Sequence, residues 1–287
     1  SGVVQVDPYS IYMCGGIDQE LKNISDTCLL FNPVAKTVRR FASMQRFRYT
    51  FPLVHFRNRL YALGGRVYGG DQESLLSECE YFDFEEQAWV EVAPMNKKRC
   101  TSMAFVYKDC IWVFGGYTDY LKRSSTIERY NPKSDTWEIV EFKLYQGMEA
   151  GHVYSIAPDK LLIIGGKVLG GECSYVHELD LHAKTLKNRR PLIHQRVLSK
   201  ACVVDGECMY VIGGNRDAIT CEKYNFEEDK WDLVRIDGLN HIETWKCFSY
   251  SSYTVVVDHD SKRQDPIPSI EKCANTNYFF GTDDEPF

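Results

Sequence analysis

Arg48 and Arg99 each stand 16 residues ahead of the first glycine of a Gly-Gly pair, at Gly64 and Gly115. A guanidinium is a planar fork of donors shaped to fit a carboxylate, so arginine recurring at one place in a chain suggests recognition of acidic groups through paired hydrogen bonds. Arg46, Lys97, Lys98, His194, Arg196 and His241 occupy comparable segments, and Arg66, Tyr68, Tyr117, Tyr120, Lys167, Asn215 and Arg216 follow the Gly-Gly pairs. Tyrosine beside arginine has the composition of a binding hot spot. His152, His194 and His241 lie near the start of successive apolar stretches, and three converging imidazoles would hold a transition metal.

Other chemistry finds no foothold. The chain has no G-x-S-x-G, H-E-x-x-H, P-loop or G-x-G-x-x-G pattern, and "GGKVLGGECS" lacks the Gly-Lys-Ser ending that cradles phosphate. Eleven cysteines include no C-x-x-C pair; Cys14, Cys28, Cys79, Cys110, Cys202, Cys221 and Cys247 sit in apolar, strand-like contexts and are expected to be reduced core residues of a cytoplasmic or nuclear protein. A net charge of −6 gives no general attraction for nucleic acid or anionic membrane. No apolar run reaches the roughly 18 to 20 residues that span a bilayer, and the first residues carry no secretory pattern. The expectation is a non-catalytic chain with no cofactor and no metal, whose partner is another protein.

The elements that position these residues are legible from a repeat. The first glycines of the pairs are Gly15, Gly64, Gly115, Gly165 and Gly213, in steps of 49, 51, 50 and 48 residues. Each unit reads as an apolar strand, a tight turn, a second apolar strand ending in Gly-Gly, a variable polar loop, a third strand, a short turn and a fourth strand. Four short strands joined in succession make an antiparallel meander. The second strand is nearly continuous in apolar residues, which means that both of its faces are covered. Such a sheet must stack on copies of itself, and closing the stack into a ring protects its edges, which predicts an all-β propeller. Gly-Gly then marks a place where a side chain would collide with the neighbouring blade and where the chain turns sharply.

At this point the units resemble Kelch repeats, whose signature is the diglycine, a tyrosine a few residues before the third-strand turn and a tryptophan opening the fourth strand. Phe82, Tyr130 and Tyr224 are each followed seven residues later by Trp89, Trp137 and Trp231. Val38 and Leu186 replace the tryptophan in two units. Near residue 262 a sixth unit is expected, with Asp258 and His259 in place of the glycines and Phe280 in place of the tryptophan. The expected architecture is a six-bladed Kelch propeller forming one domain over residues 1–287, with blades at about 1–44, 45–95, 96–143, 144–192, 193–238 and 239–287. "GVVQV" reads as the first strand of its own blade and "YFFGT" as a last strand, so neither end obviously staples the ring.

In a meander, loops after strands two and four share one face, and turns after strands one and three share the other. The second face carries Asp7, Glu85, Glu86, Asp109, Asp135, Asp159, Asp205, Glu207, Glu227, Glu228 and Asp229 and reads as a solvated, acidic floor. The first collects the basic and aromatic residues: Arg46, Arg48, Arg66, Tyr68, Lys97, Arg99, Tyr117, Tyr120, His152, Lys167, Arg196, Asn215, Arg216 and His241. They are the expected partner-binding residues, with Arg48 and Arg99 forking onto carboxylates of an acidic or extended peptide. The arginine position is filled by Glu149, Val197 and Ile242 in other units, with Arg196 displaced by one. Resemblance to BTB-Kelch adaptors implies a substrate receptor of a cullin-based ubiquitin ligase, joined to it through segments absent from this chain. An actin-binding Kelch scaffold is the alternative, and a metal-dependent propeller enzyme a third reading. The acidic segment "TDDEPF", Thr282 to Phe287, reads first as a frayed terminus, with mimicry of a ligand that docks on a neighbouring molecule's basic rim as the lesser reading.

Overall fold

The computed structural model describes residues 2–7, 9–17, 24–69, 72–118, 122–204, 208–214 and 220–234. Among them the secondary structure is β throughout, in five four-stranded antiparallel sheets and two small two-stranded ones. Their strands run between Gly2 and Phe41, Leu53 and Val92, Met103 and Lys143, His152 and Asn188, and Lys200 and Val234. Each four-stranded sheet is a meander in chain order, and the first strands of successive sheets lie side by side around a common axis. This is the β-propeller expected from the repeat, shown here as five blades. The expected sixth blade, with Asp258, His259 and Phe280, lies outside the described residues, as does the closure of the ring.

The apolar second strands explain the stacking. Leu60 and Ala62 pack back onto the first sheet with Phe82 and Trp89, while Tyr61 and Leu63 pack forward against Ile111 and Val113 of the third. Trp112 and Phe114 then face Leu161 and Ile163 of the fourth, whose Leu162 and Ile164 face Met209 and Val211 of the fifth. The core is thus a series of layers between sheets, and every second strand contributes to two of them. At the outer end the tryptophan of one blade reaches its predecessor: Nε1 of Trp89, Trp137 and Trp231 donates to the carbonyls of Ala42, Ala93 and Arg190 at 2.8, 2.8 and 2.9 Å. The fourth blade, with Leu186 instead, reverses the arrangement, and Tyr145 of the incoming linker donates its hydroxyl to the Leu186 carbonyl.

Arg48, Arg99 and Arg196 prove to be buried parts of this framework, each 0% exposed. Arg99 donates to the Gly115 carbonyl at 2.5 Å, to the Thr126 carbonyl at 3.2 Å and hydroxyl at 3.1 Å, and to the Glu128 carboxylate at 2.6 Å. Arg48 joins the Gly64 and Glu78 carbonyls and the Glu80 carboxylate at 2.8 Å each, and Arg196 joins Gly213, Thr220 and Glu222 in the same way. Each glutamate also accepts a backbone N–H three residues ahead of its arginine, from Gln45, Asn96 or Ile193. The forked bonds to carboxylates predicted for a partner are therefore spent inside the blade. Burial lowers the pKa of Arg99, and Glu128 opposes that shift by favouring the charged form.

The backbone shows which residues are equivalent. The carbonyls of Arg48, Arg99, Met148 and Arg196 accept the N–H of Gly16, Gly65, Gly116 and Gly166, each the second glycine of the preceding blade. Met148, not Glu149, therefore holds the arginine position in the fourth blade, and Arg196 is in register; the units differ by one residue in length. With methionine there, Glu178 is neutralised from the outer edge by Arg189. Two residues further on, Thr50, Thr101, Ala150 and Leu198 all have left-handed backbones, φ 46 to 59°. Their N–H and carbonyl groups form an inner belt, Thr101 to Thr50 at 2.7 Å, then Ala150 to Thr101 and Leu198 to Ala150 at 2.8 Å.

The diglycine has the predicted cause. A Cβ on Gly64 (φ +59°) would stand 2.6 Å from the Arg99 carbonyl oxygen of the next blade, and one on Gly65 (φ +108°) 2.9 Å from that of Tyr49 in its own lead-in. Gly15, Gly115 and Gly165 repeat the first contact with the Arg48, Met148 and Arg196 carbonyls, and Gly116, Gly166 and Gly214 repeat the second with those of Cys100, Glu149 and Val197. Cys14, Cys28, Cys79, Cys100, Cys173 and Cys221 are buried, and burial pushes the Cys79 thiol up to about 12.

Two outcomes follow for stability. Replacing Arg99 by Met strands the Glu128 carboxylate and is expected to cost about 3–5 kcal/mol in urea unfolding, whereas Arg99→Met with Glu128→Leu recovers most of that loss. Gly115→Ala drives a methyl against the Met148 carbonyl in a left-handed backbone and is expected to cost more than about 3 kcal/mol. Gly170→Ala, also left-handed but with nothing within 4 Å, is expected to cost only about 1–2 kcal/mol.

Candidate partner-binding rim

With the repeat arginines in the interior, the next residue along builds the rim around the axis. Tyr49, Cys100 and Glu149 form isolated backbone bridges to Arg66, Tyr117 and Lys167, the residues that follow each Gly-Gly. The loops expected there are short hairpins: Tyr117–Thr118 pairs with Lys122–Arg123, Lys167–Val168 pairs with Gly171–Glu172, and in the second blade the two central strands simply run on past the diglycine. Hairpin hydrogen bonds give these side chains defined positions that a loose loop would not supply.

The side chains interlock across blades. Tyr68 stacks on Tyr49 with ring centroids 5.7 Å apart and planes 14° from parallel. Two guanidinium groups lie over the Tyr117 ring, Arg66 at 5.2 Å and Arg123 at 5.9 Å from its centroid. Arg66 donates through Nε to the Cys100 sulfur at 2.8 Å. Burial raises the Cys100 pKa and Arg66 partly offsets this, so the thiol is a poor nucleophile. Arg123 donates through Nε to Glu149 at 2.9 Å, and Thr101 donates its hydroxyl to the other carboxylate oxygen at 2.5 Å. Cation, ring and carboxylate thus alternate along the rim. Such a surface offers donors for anionic groups and flat apolar faces for a peptide chain.

The remaining predicted residues are dispersed around this core. Lys97 and Lys98 are exposed just ahead of Arg99, and neither has an ion-pair partner among the described residues. Arg46 is also exposed, paired at 3.1 Å with Glu91, itself exposed; an ion pair this wet contributes little to stability and leaves the cation available. Tyr68 is exposed, Arg66, Tyr117 and Lys167 are half-buried, and His152 is half-buried at the start of its inner strand with its ring 6.5 Å from Tyr154. Tyr120, Asn215, Arg216 and His241 lie outside the described residues. His194 sits 3.4 Å from Glu222, and among the described residues no three His, Cys, Asp or Glu side chains come together as a metal site.

On the opposite face two of the acids, Asp109 and Asp159, take part in ion pairs, with partners in the same blade or the preceding one. Arg57 reaches Asp109 at 2.5 Å, Lys133 reaches it at 3.1 Å, and Lys108 reaches Asp159 at 3.3 Å. Asp205 and Glu207 lie outside the described residues.

Sequence reasoning missed the interior glutamates and the Arg123–Glu149 pair. A signal for the first exists: Glu80, Glu128 and Glu222 each stand two residues before the aromatic of the third strand. Arg123 has none, because the loops after Gly-Gly differ in length and no register connects them.

Several known proteins share this framework. Kelch-like protein 23 from Homo sapiens is 27% identical over 241 residues, which cover 81% of this chain and 41% of that protein. Kelch repeat and BTB domain-containing protein 8 from Danio rerio is 33% identical over 120 residues, 40% of this chain and 19% of that protein. The chain spans about two fifths of the length of the first relative. A solved structure of YjhT superposes with a TM-score of 0.65 over 80% of this chain and 82% of that one, at 13% identity, and so speaks for the fold alone. The model of the KLHDC2/KLHL20/DRC7 Kelch-repeats domain matches residues 50–258, and with the diglycines, third-strand aromatics and fourth-strand tryptophans already in place, the chain belongs to this family of Kelch-repeat propellers.

Proposed function

We propose that the chain is a non-catalytic interaction module that holds an extended peptide segment of a partner protein across the rim, as the recognition part of a cullin-based ubiquitin-ligase receptor. The observation that carries this is the Arg66–Tyr117–Arg123 stack, half-buried beside the Tyr49–Tyr68 pair and next in the chain to the exposed Lys97 and Lys98. Aromatic and guanidinium groups held rigid before binding lose little entropy on contact, which is why such residues dominate interaction hot spots. The relatives named as Kelch-like and BTB-containing support the receptor role. Contact with a cullin would come from sequence beyond this chain.

The rim is chemically suited to holding rather than reacting. Its buried carboxylate, Glu149, is committed to Arg123 and Thr101, and its thiol, Cys100, is disfavoured as thiolate by burial. General acid–base or nucleophilic work needs a group whose proton or lone pair is free for substrate.

Affinity capture with the chain as bait is the direct test. Tyr117→Ala, and separately Lys97→Glu with Lys98→Glu, are expected to weaken the recovered partner by about 1–3 kcal/mol. Arg99→Met is expected to lower thermal stability without changing capture per folded molecule. Partners retained equally by all rim variants would remove this face from consideration, and copelleting with actin filaments would shift the reading to a cytoskeletal scaffold.

A further inference from the structure

Glu149 occupies the rim position filled by Tyr49, Cys100 and Val197 in the other blades whose lead-ins are described, and it is the only acid among those four. Its side chain is 9% exposed, with one carboxylate oxygen accepting from Arg123 and the other from Thr101. Thr101 is fixed in turn. Its N–H donates to Thr50 and its carbonyl accepts from Ala150, so its hydroxyl projects from the inner belt that ties the blades together. A chain of contacts therefore runs from the belt through Thr101 and Glu149 to Arg123, and ends with the Arg123 guanidinium over the ring of Tyr117. Among the described residues Arg123 spends only Nε, which leaves its two terminal nitrogens for a ligand.

An acid on a rim that receives anions needs a reason, because its charge repels them. Holding the arginine supplies one. A long cationic side chain on a hairpin samples many rotamers, whereas one pinned at Nε and stacked on a ring presents its terminal N–H edge in a set direction. We propose that Glu149 is a positioning residue that holds Arg123 against Tyr117, so that the guanidinium edge receives an oxyanion of the bound peptide, a side-chain carboxylate or a phosphoryl group. This rests on the rim being the peptide site.

Charge and positioning predict opposite signs, which makes the test sharp. Binding to the whole chain is measured by fluorescence anisotropy with labelled hexaglutamate, hexaglutamine and a glycine-flanked phosphoserine peptide. The expected result is that wild type prefers the anionic probes, and that Glu149→Ala weakens them fivefold or more although it removes a negative charge. Thr101→Val, which leaves every charge in place, is expected to weaken them in the same direction, and Glu149→Asp to restore part of the loss. The tighter of the two anionic probes identifies the oxyanion. Tighter or unchanged binding by Glu149→Ala, no effect of Thr101→Val, or no preference of wild type for anionic probes overturns the positioning role. The peptide rim itself is judged separately, by capture with Tyr117→Ala. Should Glu149→Ala fail to fold, Thr101→Val and Glu149→Asp decide the question.

Discussion

A small sheet that is apolar on both faces has no stable existence alone, and this constraint shapes the whole molecule. Leu60 and Ala62 need the first sheet as much as Tyr61 and Leu63 need the third, so burial is completed only when neighbours are present on both sides. Stacking twisted sheets around an axis satisfies every second strand at once, and it leaves polar fourth strands on the outside. The close approach this demands is where the glycines enter: the Gly16, Gly65, Gly116 and Gly166 amides donate to carbonyls of the next blade, and a Cβ on the glycine just before each of them would stand 2.2 to 2.6 Å from those same oxygens.

Hydrophobic stacking alone does not say how one sheet is tilted or shifted against the next. Polar groups at the inner end do. Each buried arginine has its carbonyl on the previous blade and its guanidinium on its own third strand, so one residue ties two sheets in a defined register. Buried ion pairs contribute little net stability once desolvation is counted, which suits a role in specificity rather than in total free energy. The fourth blade supports this view. Met148 keeps the carbonyl contact with Gly116, the glutamate is served by Arg189 instead, and the sheet stacks as its neighbours do.

Because register is settled below the surface, the residues just above it are free to differ. Tyr49, Cys100, Glu149 and Val197 are unlike one another, yet all occupy one backbone position, and the residues bridged to them differ equally. A rim of fixed geometry and variable chemistry is what a family of recognition modules requires. Here that chemistry alternates arginine and tyrosine, with a single buried acid among the equivalent positions.

The repeat, the all-β class, the four-strand unit, the glycine collisions and the division into two faces were legible in the sequence, because each depends on local pattern: period, apolar runs and turn residues at constant spacing. Described residues bear these out for five blades, and the family match agrees. What the sequence could not decide was which charged residues face water. Arg48 and Arg46 stand two residues apart in one loop, and only the placement of Glu80 on the third strand, 32 residues on, turns the former inward. Nor could spacing show that Met148 and Arg196, each 17 residues ahead of a glycine pair, share the position that Arg48 and Arg99 hold at 16, since a one-residue difference in length is invisible until carbonyls are matched to glycine amides in space. The pairing of Arg123 with Glu149 belongs to the same class: it joins the hairpin of one blade to the lead-in of the next, and such contacts are decided by how whole sheets pack.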